Sequence, residues 1–216
     1  MVRSAVALGV LVVLIVGIVP AGATEEPFEG SISRLDRATE KLMRGSSWHP
    51  GCPVPLRELR LVRITFIGFD GLAHRGRLVV HRRWADELLG VFERLYERTF
   101  PIRRVRLVDR YGADDRTSMR HDNTSAFNCR TIAGTSVWSQ HAFGRAIDIN
   151  PVENPYVRGS YVSPRRGREY VDRSDVRPGM IVKGDVVWRA FRRIGWEWGG
   201  TWRSAQDYQH FSVNGR

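Results

Sequence analysis

The chain has 216 residues, 42% hydrophobic and 26% charged, which is enough length and apolar content for one domain with its own core. Its formal net charge of +11 draws it electrostatically toward polyanions. No nucleic-acid-binding motif interleaves the arginines, so nucleic acid is excluded as the expected partner, and the rarity of lysine (Lys41 and Lys183 alone) is equally what a GC-rich coding sequence produces.

Arg3 gives a positive start, Ala5 to Val19 is an unbroken apolar or glycine run, and Ala21-Gly22-Ala23 offers small residues for cleavage, which together read as a secretory signal peptide over residues 1–23. The alternative is an uncleaved anchor, for which 15 residues fall short of the roughly 20 that span a bilayer. No later segment is long and apolar enough to cross a membrane. Residues 24–47 are expected to form a linker, polar through Gly30, and a short helix capped by Ser33 and running to Met43. The remaining 48–216 form the expected domain.

Within it, Trp48 to Pro55 specifies an irregular loop, and Leu61 to Phe69 with Gly76 to His81 predicts a hairpin around Asp70-Gly71. Trp84, Leu88, Val91, Phe92, Leu95 and Phe100 recur at helical steps, predicting a helix that covers the sheet. Arg104 to Arg110 reads as a strand and Tyr111 to Thr124 as a polar loop contributing to a groove. Asn150 to Pro178 lacks periodicity and is expected to be a long ordered loop walling a cleft. Asp185 caps the next expected helix, with Val187, Trp188, Phe191 and Ile194 inward and Gly195 at its end. Trp196, Trp198 and Trp202 read as core and groove-lining residues, with glycan stacking as the alternative.

Two segments carry chemistry: Ser139-Gln140-His141-Ala142-Phe143-Gly144-Arg145-Ala146-Ile147-Asp148 and Asp207-Tyr208-Gln209-His210-Phe211. His141, Asp148 and His210 are two imidazoles and a carboxylate, a set that suits one Zn²⁺ ion and leaves a fourth tetrahedral position open, as catalytic rather than structural sites do. An odd separation puts His141 and Asp148 on opposite faces of an uninterrupted strand, so Gly144 must turn the chain before a short strand carrying Asp148. Asp207 and His210, three apart, fit a tight turn entering a strand at Phe211. His49, His74, His81 and His121 read as ordinary polar or surface residues.

The first segment resembles the Ser-x-His-x-x-Gly-x-Ala-x-Asp motif of the D-alanyl-D-alanine carboxypeptidase and L-alanyl-D-glutamate endopeptidase family of zinc peptidases, with all fixed positions present at Ser139, His141, Gly144, Ala146 and Asp148. The second resembles that family's closing acid-x-x-His, and the similarity spans about Trp48 to Phe211. It implies an α+β fold of the Hedgehog/DD-peptidase type, with a small, mostly antiparallel sheet, helices packed on one face and a zinc cleft. It also implies hydrolysis of an amide bond in peptidoglycan stem peptides outside the cytoplasmic membrane, by a secreted or wall-associated protein. The polyanions in reach there are anionic wall polymers; a monomer is expected.

The resemblance gives Asp207 the role of general base, passing a proton from attacking water to the leaving amine; a turn-capping aspartate is the plain alternative. Arg130 is the candidate to stabilise the scissile carbonyl oxygen, with Arg110 as rival. Ser139 reads equally as a turn former or a hydrogen-bond partner for substrate, and Ser118 and Asp115 are further candidate substrate contacts. Export favours pairing of Cys52 with Cys129, worth roughly 4 kcal/mol in the chain-entropy model. Binding of metal by these cysteines is disfavoured, since the zinc set is complete without them. The rival to an enzyme is a catalytically silent wall-binding module of the same fold.

Overall fold

A computed structural model describes residues 26–215, so the expected signal peptide lies outside the described residues. Asp70 and Gly71 reverse the chain where the sequence places a hairpin: Asp70 accepts from the Leu72 amide at 3.1 Å and Gly71 sits at φ +75°, where a side chain would be strained. On either side, β2 (Leu59–Ile67) and β3 (Ala73–His81) pair antiparallel, Leu59 opposite His81 and Ile67 opposite Ala73. β1 (Gly30–Arg34) adds to the outer edge of β2. Ser33 therefore caps no helix; its hydroxyl accepts from the Arg63 guanidinium at 3.0 Å. Asp36 caps α1 (Arg37–Met43) instead, accepting from the Thr39 amide at 2.7 Å. A free sheet edge on β2 outweighed the local capping signal, and the expected linker supplies a strand.

Alternation along β2 and β3 turns Val62, Ile64, Phe66, Leu78 and Val80 to one face, where α2 (Ala85–Glu97) buries Leu88, Val91, Phe92 and Leu95 against them. α4 (Val186–Arg193), capped by Asp185 through the Trp188 amide at 2.7 Å, docks beside α2 and stacks Phe191 on Phe211 with ring centroids 4.2 Å apart. The opposite face is covered at one end by a second cluster of Leu59, Leu61 and Val79 with Met43, Leu107, Phe127 and Cys129. There Cys52 and Cys129 are joined in a disulfide, Cα atoms 5.9 Å apart, binding the Trp48–Cys52 loop to the segment that precedes Arg130.

The rest of the chain is built from very short pieces. The strands are β4 (Ala146–Asp148), β5 (Tyr156–Arg158), β6 (Tyr161–Ser163), β7 (Glu197–Trp198), β8 (Gln206–Asp207) and β9 (His210–Ser212). The α+β class stands, but one sheet becomes three, each three-stranded and antiparallel: β1-β2-β3, β4-β9-β7 and β6-β5-β8. Three sequence expectations are corrected here. Arg104–Arg110 is not a strand: Val105 only bridges Thr124, and a 3₁₀ turn follows at Val108–Tyr111. The Asn123 side chain takes both the amide and the carbonyl of Arg106, at 2.9 and 3.0 Å, so a side chain replaces the ladder. The polar loop contains α3 (Asp115–Arg120), capped by Asp114. The long loop after Asn150 contains the β5–β6 hairpin. Among the described residues no helix is long and apolar enough to cross a membrane.

Candidate metal centre and cleft

Ser139 accepts from the His141 amide at 3.3 Å and opens a single 3₁₀ turn, Gln140–Phe143, which ends at Gly144 with φ +64°. A Cβ at Gly144 would lie 2.6 Å from the His81 nitrogen, and that nitrogen donates to the Gly144 carbonyl at 2.8 Å. Glycine thus lets the turn bearing His141 dock against the end of β3. The chain then enters β4, where Asp148 is the direct antiparallel partner of His210 on β9. Direct cross-strand neighbours bring side chains within reach of each other, which is how ligands 62 positions apart meet.

The donor atoms converge. Asp148 lies 2.9 Å from His210 Nδ1 and 3.2 Å from His141 Nε2, and the two ring nitrogens are 3.2 Å apart. Ligands about 2.0–2.1 Å from a tetrahedral zinc stand about 3.3 Å from one another, so these separations fit. The tautomer fits too. His141 Nδ1 donates to the Ala126 carbonyl at 2.5 Å, leaving the Nε2 lone pair to face inward, the outer-shell pattern of a metal-ligating histidine. Burial by itself raises the Asp148 pKa, yet the two imidazoles, through charge and hydrogen bonding, hold this carboxyl well below the usual range. A second cluster, His49, Cys52 and Cys129, has the residue types of a metal site, but its sulfurs are bonded to each other and offer no thiolate.

The strand that carries Asp148 is fixed by polar side chains rather than by a long ladder. Its backbone exchanges hydrogen bonds with Ser125 at 2.9 and 3.0 Å. Asn150, at φ +45°, accepts from the Arg103 amide and donates to the carbonyls of Pro101 and Gly179. Asn154 accepts from the Ile181 amide and donates to the Gly179 carbonyl. Between them, Glu153 is buried against Asp122, whose carboxylate accepts from the Val152 amide at 2.9 Å.

A cavity of about 490 Å³ opens over the three candidate ligands, lined by Arg130, Ser139, Tyr156, Trp202 and Asp207 among others. Asp207 ends β8 opposite Tyr156 of β5, and Gly199 passes so close that a Cβ there would lie 2.7 Å from the Asp207 carbonyl. The Asp207 Oδ1 atom is buried without a hydrogen-bond partner. Burial pushes this carboxyl up to about 6; the charge of His210 opposes the rise and that of Asp148 adds to it. Trp202 packs its ring 5.8 Å from that of His210.

Arg130, Asp148, Tyr156 and Asp207 also border a larger cavity of about 1010 Å³ running along α3 and the β5–β6 hairpin. The two form one cleft. Arg130 sits where they meet, ion-paired with Asp115, whose other oxygen accepts from Asn128 at 2.7 Å. Ser118 lines the larger cavity and is itself buried, accepting from Asn123 at 3.1 Å. The rival Arg110 does not line the cleft; it borders a separate depression with Arg75, Arg77 and Arg106. Tyr156 and the Ala126 carbonyl were not foreseen. A side chain facing Asp207 across a two-residue pairing leaves no periodic signal, and a backbone carbonyl leaves none at all.

Two imidazoles and a carboxylate that could hold a metal ion lie at the floor of a cleft beside a carboxyl with one unpartnered oxygen, a set of groups that metal-dependent hydrolysis requires. Residues 133–213 match the family model described as D-alanyl-D-alanine carboxypeptidase, which supports the zinc peptidase family inferred from the two motifs. At that level the match is to peptidases of cell-wall peptides, and the matched segment holds all three candidate ligands and Asp207. No curated protein and no solved structure matches the chain.

Proposed function

We propose that this protein is a zinc-dependent peptidase of the Hedgehog/DD-peptidase-like type, hydrolysing an amide bond in peptidoglycan stem peptides outside the cytoplasmic membrane. The carrying observation is the convergence of His141 Nε2, His210 Nδ1 and Asp148 beside the unpartnered Asp207 oxygen. These residues would hold one Zn²⁺, which when bound supplies Lewis acidity, polarising a carbonyl and making water acidic enough to ionise near neutral pH. Asp207, with its raised pKa, takes the proton from attacking water and returns it to the leaving nitrogen as the amide C–N bond breaks. Arg130, which borders both cavities and is held by Asp115, would donate to the carbonyl oxygen as negative charge develops. Ser139 caps the His141 turn and borders the cavity, so its hydroxyl is a candidate contact for bound peptide. Ser118 and Asp115 belong to the wall further along.

The continuous cleft offers more room than a terminal dipeptide fills, which favours substrates that extend past the scissile bond. A silent wall-binding module has no use for a buried carboxyl with one oxygen left unpartnered, whose desolvation costs stability without return. The test is mass spectrometry of products after the zinc-loaded protein is incubated with purified peptidoglycan. Loss of a terminal residue identifies a carboxypeptidase and internal scission an endopeptidase. Intact stem peptides with retained zinc would refute the peptidase reading.

A further inference from the structure

The face of the β1–β3 sheet that carries Leu61 and Val79 is apolar and covered at one end only. Toward the other end the same alternation presents Arg63, Arg75 and Arg77, and register sets Arg63 directly opposite Arg77. Like charges facing each other across a strand pair are destabilising. Two of these arginines are compensated, Arg63 by Asp36 and Arg75 by Glu29. Arg77 forms no ion pair among the described residues, although Asp36 also senses its charge, and Arg106 and Arg110, which the 105–111 segment brings alongside, form none.

The close approach is built in. Gly76 admits Val105 where a Cβ would lie 2.5 Å from the valine Cβ, and the Arg77 amide donates to the Val105 carbonyl at 3.3 Å. Asn123 grips the backbone of Arg106 from both sides. The outcome is a depression of about 410 Å³ with Arg75, Arg77, Arg106 and Arg110 around a floor of Gly76, Val105 and Leu107, without a carboxylate in its lining. It shares no lining residue with the catalytic cleft.

We propose that this arginine bowl is a binding site for a polyol phosphate polymer, the anionic chain of phosphodiester-linked polyols that a cell wall carries. Guanidinium groups pair with phosphate oxygens bidentately and remain charged at all relevant pH. No aromatic side chain lines the bowl, so there is no platform on which bases could stack, which disfavours single-stranded nucleic acid. The wall as source rests on the peptidase reading above; the site itself does not.

The test uses the full chain and purified poly(glycerol phosphate), comparing wild type, an Arg77→Gln/Arg106→Gln variant, and an Arg189→Gln/Arg193→Gln control on the surface depression between α2 and α4. The bowl variant is expected to bind at least about tenfold more weakly, with a shallower dependence on salt. Wild type and control bind alike. Without polymer the bowl variant keeps the wild-type melting temperature, since neither arginine forms an ion pair among the described residues, and it hydrolyses a soluble stem peptide at the wild-type rate. Equal weakening in the control would mean general charge attraction, and unchanged binding in the bowl variant would mean no site; either overturns the proposal. Tighter binding of a charge-matched single-stranded oligonucleotide or polyglutamate overturns the assignment of the ligand. Binding and hydrolysis are read separately, so failure of the peptidase reading is distinguishable from failure of this one.

Discussion

The sheet of β1, β2 and β3 and the region around the proposed metal ligands solve opposite problems. β2 and β3 run nine residues each, bury apolar side chains on both faces and gain stability from the area they bury against α2. Around the site no strand exceeds three residues. Position there is set by individual hydrogen bonds: the Asn150 and Asn154 side chains behind Asp148, the Ala126 carbonyl behind His141, and the Gly144 carbonyl accepting from the His81 amide. Burial of area specifies a fold but tolerates small shifts. Directed hydrogen bonds hold donor atoms in place and add little stability each. Substitutions in the two regions should therefore separate, one set changing stability and the other rate.

The largest effect expected is on rate, from the ligands. His141→Ala, Asp148→Ala or His210→Ala leaves two protein donors, so zinc content and hydrolysis both fall to background while the circular dichroism spectrum stays native. Full zinc in all three variants would break the assignment. Asp207→Asn comes next, because it keeps the side chain's volume and removes the proton acceptor. Turnover should drop about 100- to 10,000-fold with zinc retained. Zinc and rate measured on one preparation decide: loss of zinc makes Asp207 a ligand, and an unchanged rate removes it from the chemistry.

Phe92→Ala probes the other region. Phe92 is almost fully buried between α2 and the sheet, and such a cavity typically costs about 3–5 kcal/mol. Urea denaturation should show that loss, while kcat per folded, zinc-loaded molecule stays within about twofold if the regions are energetically separate. A matching fall in kcat would show that the long sheet positions the ligands more directly than the Gly144 contact implies.

The same contrast explains what the sequence made legible. The hairpin and α2 declare themselves through repeated apolar spacing. The ligands and Asp207 declare themselves through residue types that have few other reasons to cluster. β1 was hidden because Gly30 to Arg34 contains one large apolar residue, Ile32, too few to display a period. α3 was hidden because Asp115–Arg120 has a single apolar residue, Met119, too few to display a period, and only Asp114, its cap, marks it. The β5–β6 hairpin falls below any periodic signal at three residues a strand. Asn123, Asn150 and Asn154 read as loop asparagines, since their partners lie in distant segments that only the fold brings near.

The smallest effect tests the polar side of the comparison, through the buried pair of Glu153 and Asp122. Burial first, then the hydrogen bond and charge of Asp122, push Glu153 up to about 8; Arg103, 3.6 Å from each carboxylate, opposes the rise. Tyr170 also senses this charge, with Arg177 acting on it in the opposite direction. A folded-state pKa above the unfolded value of 4.5 means that the native state holds the proton more tightly. Its stabilising contribution is whole below 4.5 and is lost as pH rises through about 8. Glu153→Gln keeps a donor toward Asp122 and cannot ionise. Between about pH 5 and pH 9 the variant's melting temperature should therefore fall less than that of wild type, and at the alkaline end the variant should be the more stable. Parallel curves would mean that Arg103 already neutralises the pair. The loop behind Asp148 would then be held by its asparagines alone, with no contribution from a shared proton.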